Sequence, residues 1–234
     1  LLSDEIGILI CGDSFCVTDP DFRGLHWSEK LLNYSSKFKV YNLAHGGCSN
    51  ALISLQLLQG LRLNPDFVIF SFTDVGRYEF DSDINALPSD VTDLEITSYM
   101  KRRFTTNRYE KNVEKIKTTD RWLVTAASEN MEIIKNYMYL LNCMMTCNKQ
   151  GIPFCYSIGG FMFGQGIQSF MNSNYIKNFL NEYHDQELMT NLWNYNTTKT
   201  KPWFHVEDDA VQTLFANECI DHILRKNLVK RLRS

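Results

Sequence analysis

Ile6-Gly-Ile-Leu-Ile-Cys-Gly-Asp-Ser-Phe15 is the stretch whose reading decides the fold. From Ile6 to Cys11 the residues are almost all apolar and do not alternate with polar ones. That pattern marks a strand covered on both faces, as in the middle of a parallel sheet. The run stops abruptly at Gly12-Asp13-Ser14. Open α/β sheets bind their ligands outside the carboxyl ends of the strands. Gly12 allows the tight turn such an edge needs, and Ser14 falls just past it with an exposed hydroxyl and a free N–H, a good place for a nucleophile. An ordinary polar turn after a strand has the same composition, and one short motif does not separate the two.

Further blocks follow in order. Phe38–Ala44 reads as a second strand running into His45-Gly46-Gly47-Cys48-Ser49-Asn50, then a helix from Ala51 to Leu63. A glycine at a helix N-terminus lets a substrate approach the backbone and offers an unpaired N–H to negative charge. The same residues also suit a plain helix start capped by Ser49 or Asn50. Asn64-Pro65-Asp66 closes that helix, and Phe67–Phe72 is a third buried strand ending in Thr73-Asp74. Two such strands joined by a helix make a parallel crossover. Near the C-terminus, His205-Val-Glu-Asp-Asp-Ala210 leads into a helix, Ala210 to Leu224, with an apolar side.

Taken together, these blocks resemble the GDSL, or SGNH, hydrolases over roughly residues 1–75 and 202–224. The resemblance implies a three-layer α/β/α sandwich with a mostly parallel, flavodoxin-like central sheet. It implies one domain over 1–234 with an insertion or lid around 78–125. Ser14 would be the nucleophile and His205 its base, with the N–H groups of Ser14 and Gly47 holding the oxyanion. Two departures stand out. Thr73 occupies the place of the family's Asn, so its hydroxyl would have to supply the third oxyanion donor; losing such a donor costs about 3 kcal/mol of transition-state stabilisation. Pro202 occupies the place of the Asp that normally precedes the His. Asp208 and Asp209 lie on the wrong side of His205 to replace it, which leaves a Ser14–His205 dyad with an unidentified orienting group, and Asp13 and Asp74 as nearby supporting carboxylates. The implied activity is hydrolysis of a small acyl ester, such as an O-acetyl group on a sugar, without metal or cofactor. The contrasting expectation, drawn from the two departures, is a weak or inactive scaffold kept as a binding or structural module. Gly24-Leu-His-Trp-Ser-Glu29 is similar to virus-borne members of the superfamily.

Composition bounds the rest. A length of 234 residues and an apolar fraction of 44% suit one α/β domain, and a net charge of −3 gives no reason to expect nucleic acid or an anionic membrane. No apolar run approaches a membrane span, and no signal peptide is visible, although a start at Leu1 leaves room for an upstream segment. Seven cysteines without a C-x-x-C pair indicate neither a disulfide framework nor a zinc site, and point to buried thiols in a reducing, cytoplasmic compartment. His26 and Trp27 either line the pocket or are a surface histidine and a core tryptophan. Arg77 is read as an ion pair with Glu79, and the basic stretch 101–121 as a solvated helix face. Ser128 is the expected cap of an apolar helix reaching Asn148, with Gly151 closing it before a strand that ends at Ser157. Phe161-Met162-Phe163 reads as core packing or an apolar acyl site, and the Asn-x-Thr sequence at Asn196 is discounted as a glycan acceptor.

Overall fold

Among the described residues four parallel strands form the central sheet: β1 (Ile6–Gly12), β2 (Phe38–Asn42), β3 (Phe67–Phe72) and, after an antiparallel pair β4 (Arg77–Phe80) and β5 (Glu95–Ser98), β6 (Phe154–Ile158). The structure, a computed structural model, describes residues 5–18, 24–46, 48–73, 77–80, 95–98, 129–158, 182–195, 206 and 208–231. Among the described residues the α-helices are α1 (Trp27–Tyr34), α2 (Asn50–Gly60), α3 (Glu129–Lys149) and α4 (Asp209–Arg231). The expected third strand is matched residue for residue, and the helix before it ends three residues early in a 3₁₀ turn, Leu61–Leu63. β4 and β5 fall at the start of the segment read as an insertion; the remainder of that segment and Phe161–Phe163 lie outside the described residues.

Alternation along the strands separates two cores. Ile8, Ile10, Phe67, Ile69 and Cys155 face α1 and α4, where they meet Trp27, Leu31, Phe215 and Cys219. Leu9, Cys11, Val68, Phe70 and Phe154 face α2 and α3, where they meet Leu52, Ile53, Leu140 and Met144. Both faces of β1 and β3 are therefore covered, which is why their sequences are continuously apolar. Three layers result, as expected.

Strand order is β2-β1-β3-β6 among the described residues. The chain leaves β1 to build β2 on one side, then returns to lay β3 on the other, with Gly12 of β1 opposite Ser71 of β3. Order reverses between β1 and β3, and the crevice at such a switch point is where open α/β sheets bind ligands. The residues leaving these two strands are Asp13-Ser14 and Thr73.

α3 ends as the sequence predicts. Gly151 takes a left-handed φ of 66°, its N–H donates to Asn148 O at 3.0 Å, and the Ile152 N–H reaches back to Cys147 O at 2.9 Å.

All seven cysteines are free and buried. Burial pushes the Cys11 thiol well above its ordinary range and raises Cys147 to about 12. Attack by a thiol needs the thiolate, so the native protein is expected to resist a disulfide reagent at pH 8 until denatured. The linkage sign is alkaline. A thiol whose pKa rises from 9.0 to about 12 on folding contributes stability in full below 9, and loses it as pH climbs toward 12. Denaturation midpoints should hold near pH 8 and fall from about pH 9 to pH 11, and a profile flat over that upper range would contradict buried neutral thiols.

Candidate active site

Ser14 opens a single 3₁₀ turn, Ser14–Cys16, at the carboxyl end of β1. The turn forms because Asp13, extended at φ −103° and ψ −154°, caps it: Oδ1 accepts the Phe15 N–H at 3.1 Å, and Asp13 O accepts the Cys16 N–H at 3.0 Å. Asp13 is fully buried, and its second oxygen, Oδ2, accepts the Thr73 hydroxyl at 2.7 Å. One carboxylate thus joins the ends of β1 and β3 beneath the serine.

The rest of the turn is held just as closely. Phe15 O accepts the Trp27 indole N–H at 2.8 Å and lies 3.1 Å from His26 Nε2. A carbonyl can only accept, so Nε2 carries the imidazole hydrogen and Nδ1 is the acceptor, for the Ser28 N–H at 3.3 Å and the Ser28 hydroxyl at 2.8 Å. His26 is therefore the N-cap of α1, completed by Glu29, whose carboxylate accepts the His26 N–H at 2.9 Å. The expectation of a surface histidine fails: His26 is 4% exposed, because both ring nitrogens are used internally. Trp27 is core, edge-on to Phe215 with ring centroids 4.9 Å apart. Cys16 O accepts Asn42 Nδ2 at 2.7 Å, which ties the far end of the turn to β2.

Two amides on α2 brace the strand ends from the other layer. Gln56 pairs with the backbone of Gly12, accepting its N–H at 2.8 Å and donating to its carbonyl at 3.2 Å. Asn50 does the same at Thr73, with bonds of 2.8 and 2.9 Å, and also donates to Asn136. The cap of α2 is Ser49, which leaves Asn50 for this duty.

Amid these bonds Ser14 is the exception. Half-buried, it has a partner for neither its N–H nor its hydroxyl among the described residues. A Cβ added to Gly46 would sit 3.9 Å from Ser14 Cβ, so the loop after β2 passes close over the serine with no side chain in the way.

Several expected participants are placed differently. Gly12 does not have a positive φ, which among the described glycines belongs to Gly151 alone; Gly12 is required for space, since a Cβ there would lie 2.5 Å from Cys16 Sγ. Thr73 is fully buried, and its one hydroxyl hydrogen goes to Asp13, so in this geometry it is not a free oxyanion donor. Asp208 caps α4 by accepting the Ala210 N–H at 2.8 Å, and Asp209 pairs with Lys30 at 2.8 Å. Gly47, Asp74 and His205 lie outside the described residues, as do the side chains of Arg77 and Glu79. Val206, the residue after His205, is buried in the same cluster as Phe15, Cys16 and Trp27. Replacing Thr73 by Val is expected to cost about 1–3 kcal/mol, because Asp13 Oδ2 loses a buried donor. A lower denaturation midpoint at unchanged slope would show it; no shift would mean that the bond does not hold the turn.

No protein-family model matches the chain, and no curated protein matches its sequence. Solved structures do resemble it. A protein from Desulfitobacterium hafniense DCB-2, described as lipolytic and of the G-D-S-L family, superposes with a TM-score of 0.50 at 8% identity, covering 93% of this chain and 99% of that one. A Bacillus subtilis protein gives 0.48 at 14% identity, covering 95% of this chain and 57% of that one. A Veillonella parvula member of the lipolytic G-D-S-L family gives 0.43 at 11%, covering 92% and 97%. With the first of these and the parallel β2-β1-β3-β6 sheet, the chain has the SGNH-hydrolase fold. Among the described residues no helix is long and apolar enough to cross a membrane.

Proposed function

We propose that the chain is a serine ester hydrolase acting on a small acyl ester, with an O-acetylated carbohydrate as the leading substrate class. The observation that carries this reading is the contrast at Ser14. Asp13, Phe15 and Cys16 are all bonded inward, whereas the N–H and hydroxyl of Ser14 are left over at the sheet's switch point. Such an arrangement is preorganised for attack and oxyanion binding, because its donors need no rearrangement when charge develops.

In the proposed reaction His205 accepts the proton of Ser14 as Oγ attacks the ester carbonyl. The tetrahedral oxyanion is held by the N–H groups of Ser14 and Gly47. Collapse expels the alcohol, which takes its proton from His205, and water then cleaves the acyl-enzyme with His205 again as base. Asp13 and Thr73 act through the turn and not on the substrate. Support for His205 comes from its peptide neighbour Val206, packed among the residues that hold the Ser14 turn.

A second reading, a binding module on the same scaffold, is favoured by the commitment of the Thr73 hydroxyl to Asp13, which takes Thr73 itself out of the set of oxyanion donors. A fluorophosphonate probe separates the two without a known substrate. Labelling of the native chain that disappears in Ser14→Ala supports the hydrolase; equal background in both proteins supports the module.

A further inference from the structure

We infer that Gln212 is a positioning residue that fixes the backbone beside His205 to the helix holding the Ser14 turn, an inference that rests on the hydrolase reading above. Gln212 lies in the first turn of α4 and is 4% exposed. Its Oε1 accepts the Trp27 N–H at 3.0 Å across 185 residues of sequence, and its Nε2 donates to Val206 O at 2.8 Å.

Each bond answers a separate need. Trp27 is the first residue of α1, and its N–H is one of the four that a helix start leaves without an internal partner. His26 caps Ser28 but does not reach Trp27's own N–H, so Gln212 supplies that acceptor from another element. Val206 is the buried residue before α4 begins, and its carbonyl would otherwise face an apolar cluster that includes Phe15 and Trp27.

Joined to the bonds already described, this makes a continuous buried path. Val206 O meets Gln212, Gln212 meets the Trp27 backbone, and the Trp27 indole meets the carbonyl of Phe15, next to Ser14. The residue one peptide bond before Val206 is His205. Asp208 and Asp209, the described carboxylates nearest to that histidine in sequence, are engaged elsewhere. Fixing the Val206 backbone relative to the nucleophile turn is the means of alignment we assign to Gln212. Misplacing reacting groups by about 1 Å can cost a hundredfold in rate.

Gln212→Met keeps the length and volume of the side chain and removes both bonds. The full chain, Gln212→Met, Ser14→Ala and Leu140→Ala are compared; Leu140→Ala is a control for lost stability, because Leu140 packs in the opposite layer with Cys143 and Met144. The readouts are the fluorophosphonate inactivation rate resolved into its maximal rate and half-saturating concentration, its pH profile, and the melting temperature. Gln212→Met is expected to lower the maximal rate at least about thirtyfold while changing half-saturation less than about threefold, and to shift the acid limb of the profile. Leu140→Ala should lose melting temperature yet keep the maximal rate within about threefold. If Gln212→Met labels at the wild-type rate, or slows only as much as Leu140→Ala, the positioning role is overturned while the hydrolase reading stands. If the unmodified chain is not labelled at Ser14, both fall together. Should Gln212→Met not fold, Gln212→Glu replaces it, since Glu keeps an acceptor for Trp27 but, when ionised, has no donor for Val206 O. A wild-type labelling rate in Gln212→Glu above pH 8 would again overturn the role.

Discussion

Ser14→Ala is expected to lower turnover of an acetyl ester by at least about a thousandfold, and His205→Ala by a similar factor. The size follows from the division of labour. Removing either member of a nucleophile–base pair abolishes attack by that route, and what remains is stabilisation by backbone donors and substrate binding, which alone is worth roughly 10³–10⁴ over water. The double variant should be no worse than either single one, because the two side chains act as a unit. Wild-type turnover itself is expected to be modest. In serine hydrolases a carboxylate fixes the tautomer of the base, and its loss can cost about 10⁴. By the family resemblance Pro202 takes the place of that carboxylate, while Asp208 is a helix cap and Asp209 is paired with Lys30. If Ser14→Ala and the native chain hydrolyse the ester equally, the dyad does not exist. If His205→Ala retains full activity while Ser14→Ala does not, the base is another residue.

The sheet was legible because its strands are buried on both sides: an unbroken apolar run such as Phe67–Phe72 leaves little else for the chain to do. The Ser14 turn was legible for a related reason, since a strand that stops at Gly-Asp-Ser must turn there. What holds the turn was not. Asp13 looked like a supporting acid near the serine, and its partner Thr73 like a replacement oxyanion donor, because sequence shows which groups can bond but not to what. Their mutual bond spans 60 residues. His26 was unreadable in the same way: its capping box with Glu29 is local and could have been found from the spacing, but its contact with Phe15 O needed the fold. Gln212 gave no signal at all. A glutamine in a helix is usually solvated, and only the approach of α1 to the start of α4 makes both of its amide atoms useful.

Gly12→Ala is expected to be the most damaging single-methyl substitution in the central sheet. An added Cβ would meet Cys16 Sγ at 2.5 Å, Ser71 Cβ at 3.1 Å and Ser71 O at 3.2 Å. Ser71 belongs to β3 and cannot retreat without breaking a ladder buried on both faces. Cys16 has a single side-chain torsion and is fully buried, so its sulfur has nowhere nearby to go. Relief has to come from the turn itself, which carries Ser14. Gly12 is also held from behind, its backbone paired at both ends with Gln56 and its carbonyl accepting the His45 N–H at 3.2 Å, so the strain is not absorbed by a loose segment. Overpacking of this kind costs about 1–3 kcal/mol, and displacement of the nucleophile should remove most of the turnover as well. A double-mutant cycle isolates the cause. Cys16→Ala deletes the nearest clashing atom, so Gly12→Ala should destabilise the Cys16→Ala background by about 1 kcal/mol less than it destabilises the native protein, a coupling typical of residues in contact. Recovery should be partial, because both Ser71 contacts persist. Equal destabilisation in the two backgrounds would mean that the sulfur is not what excludes a side chain at position 12.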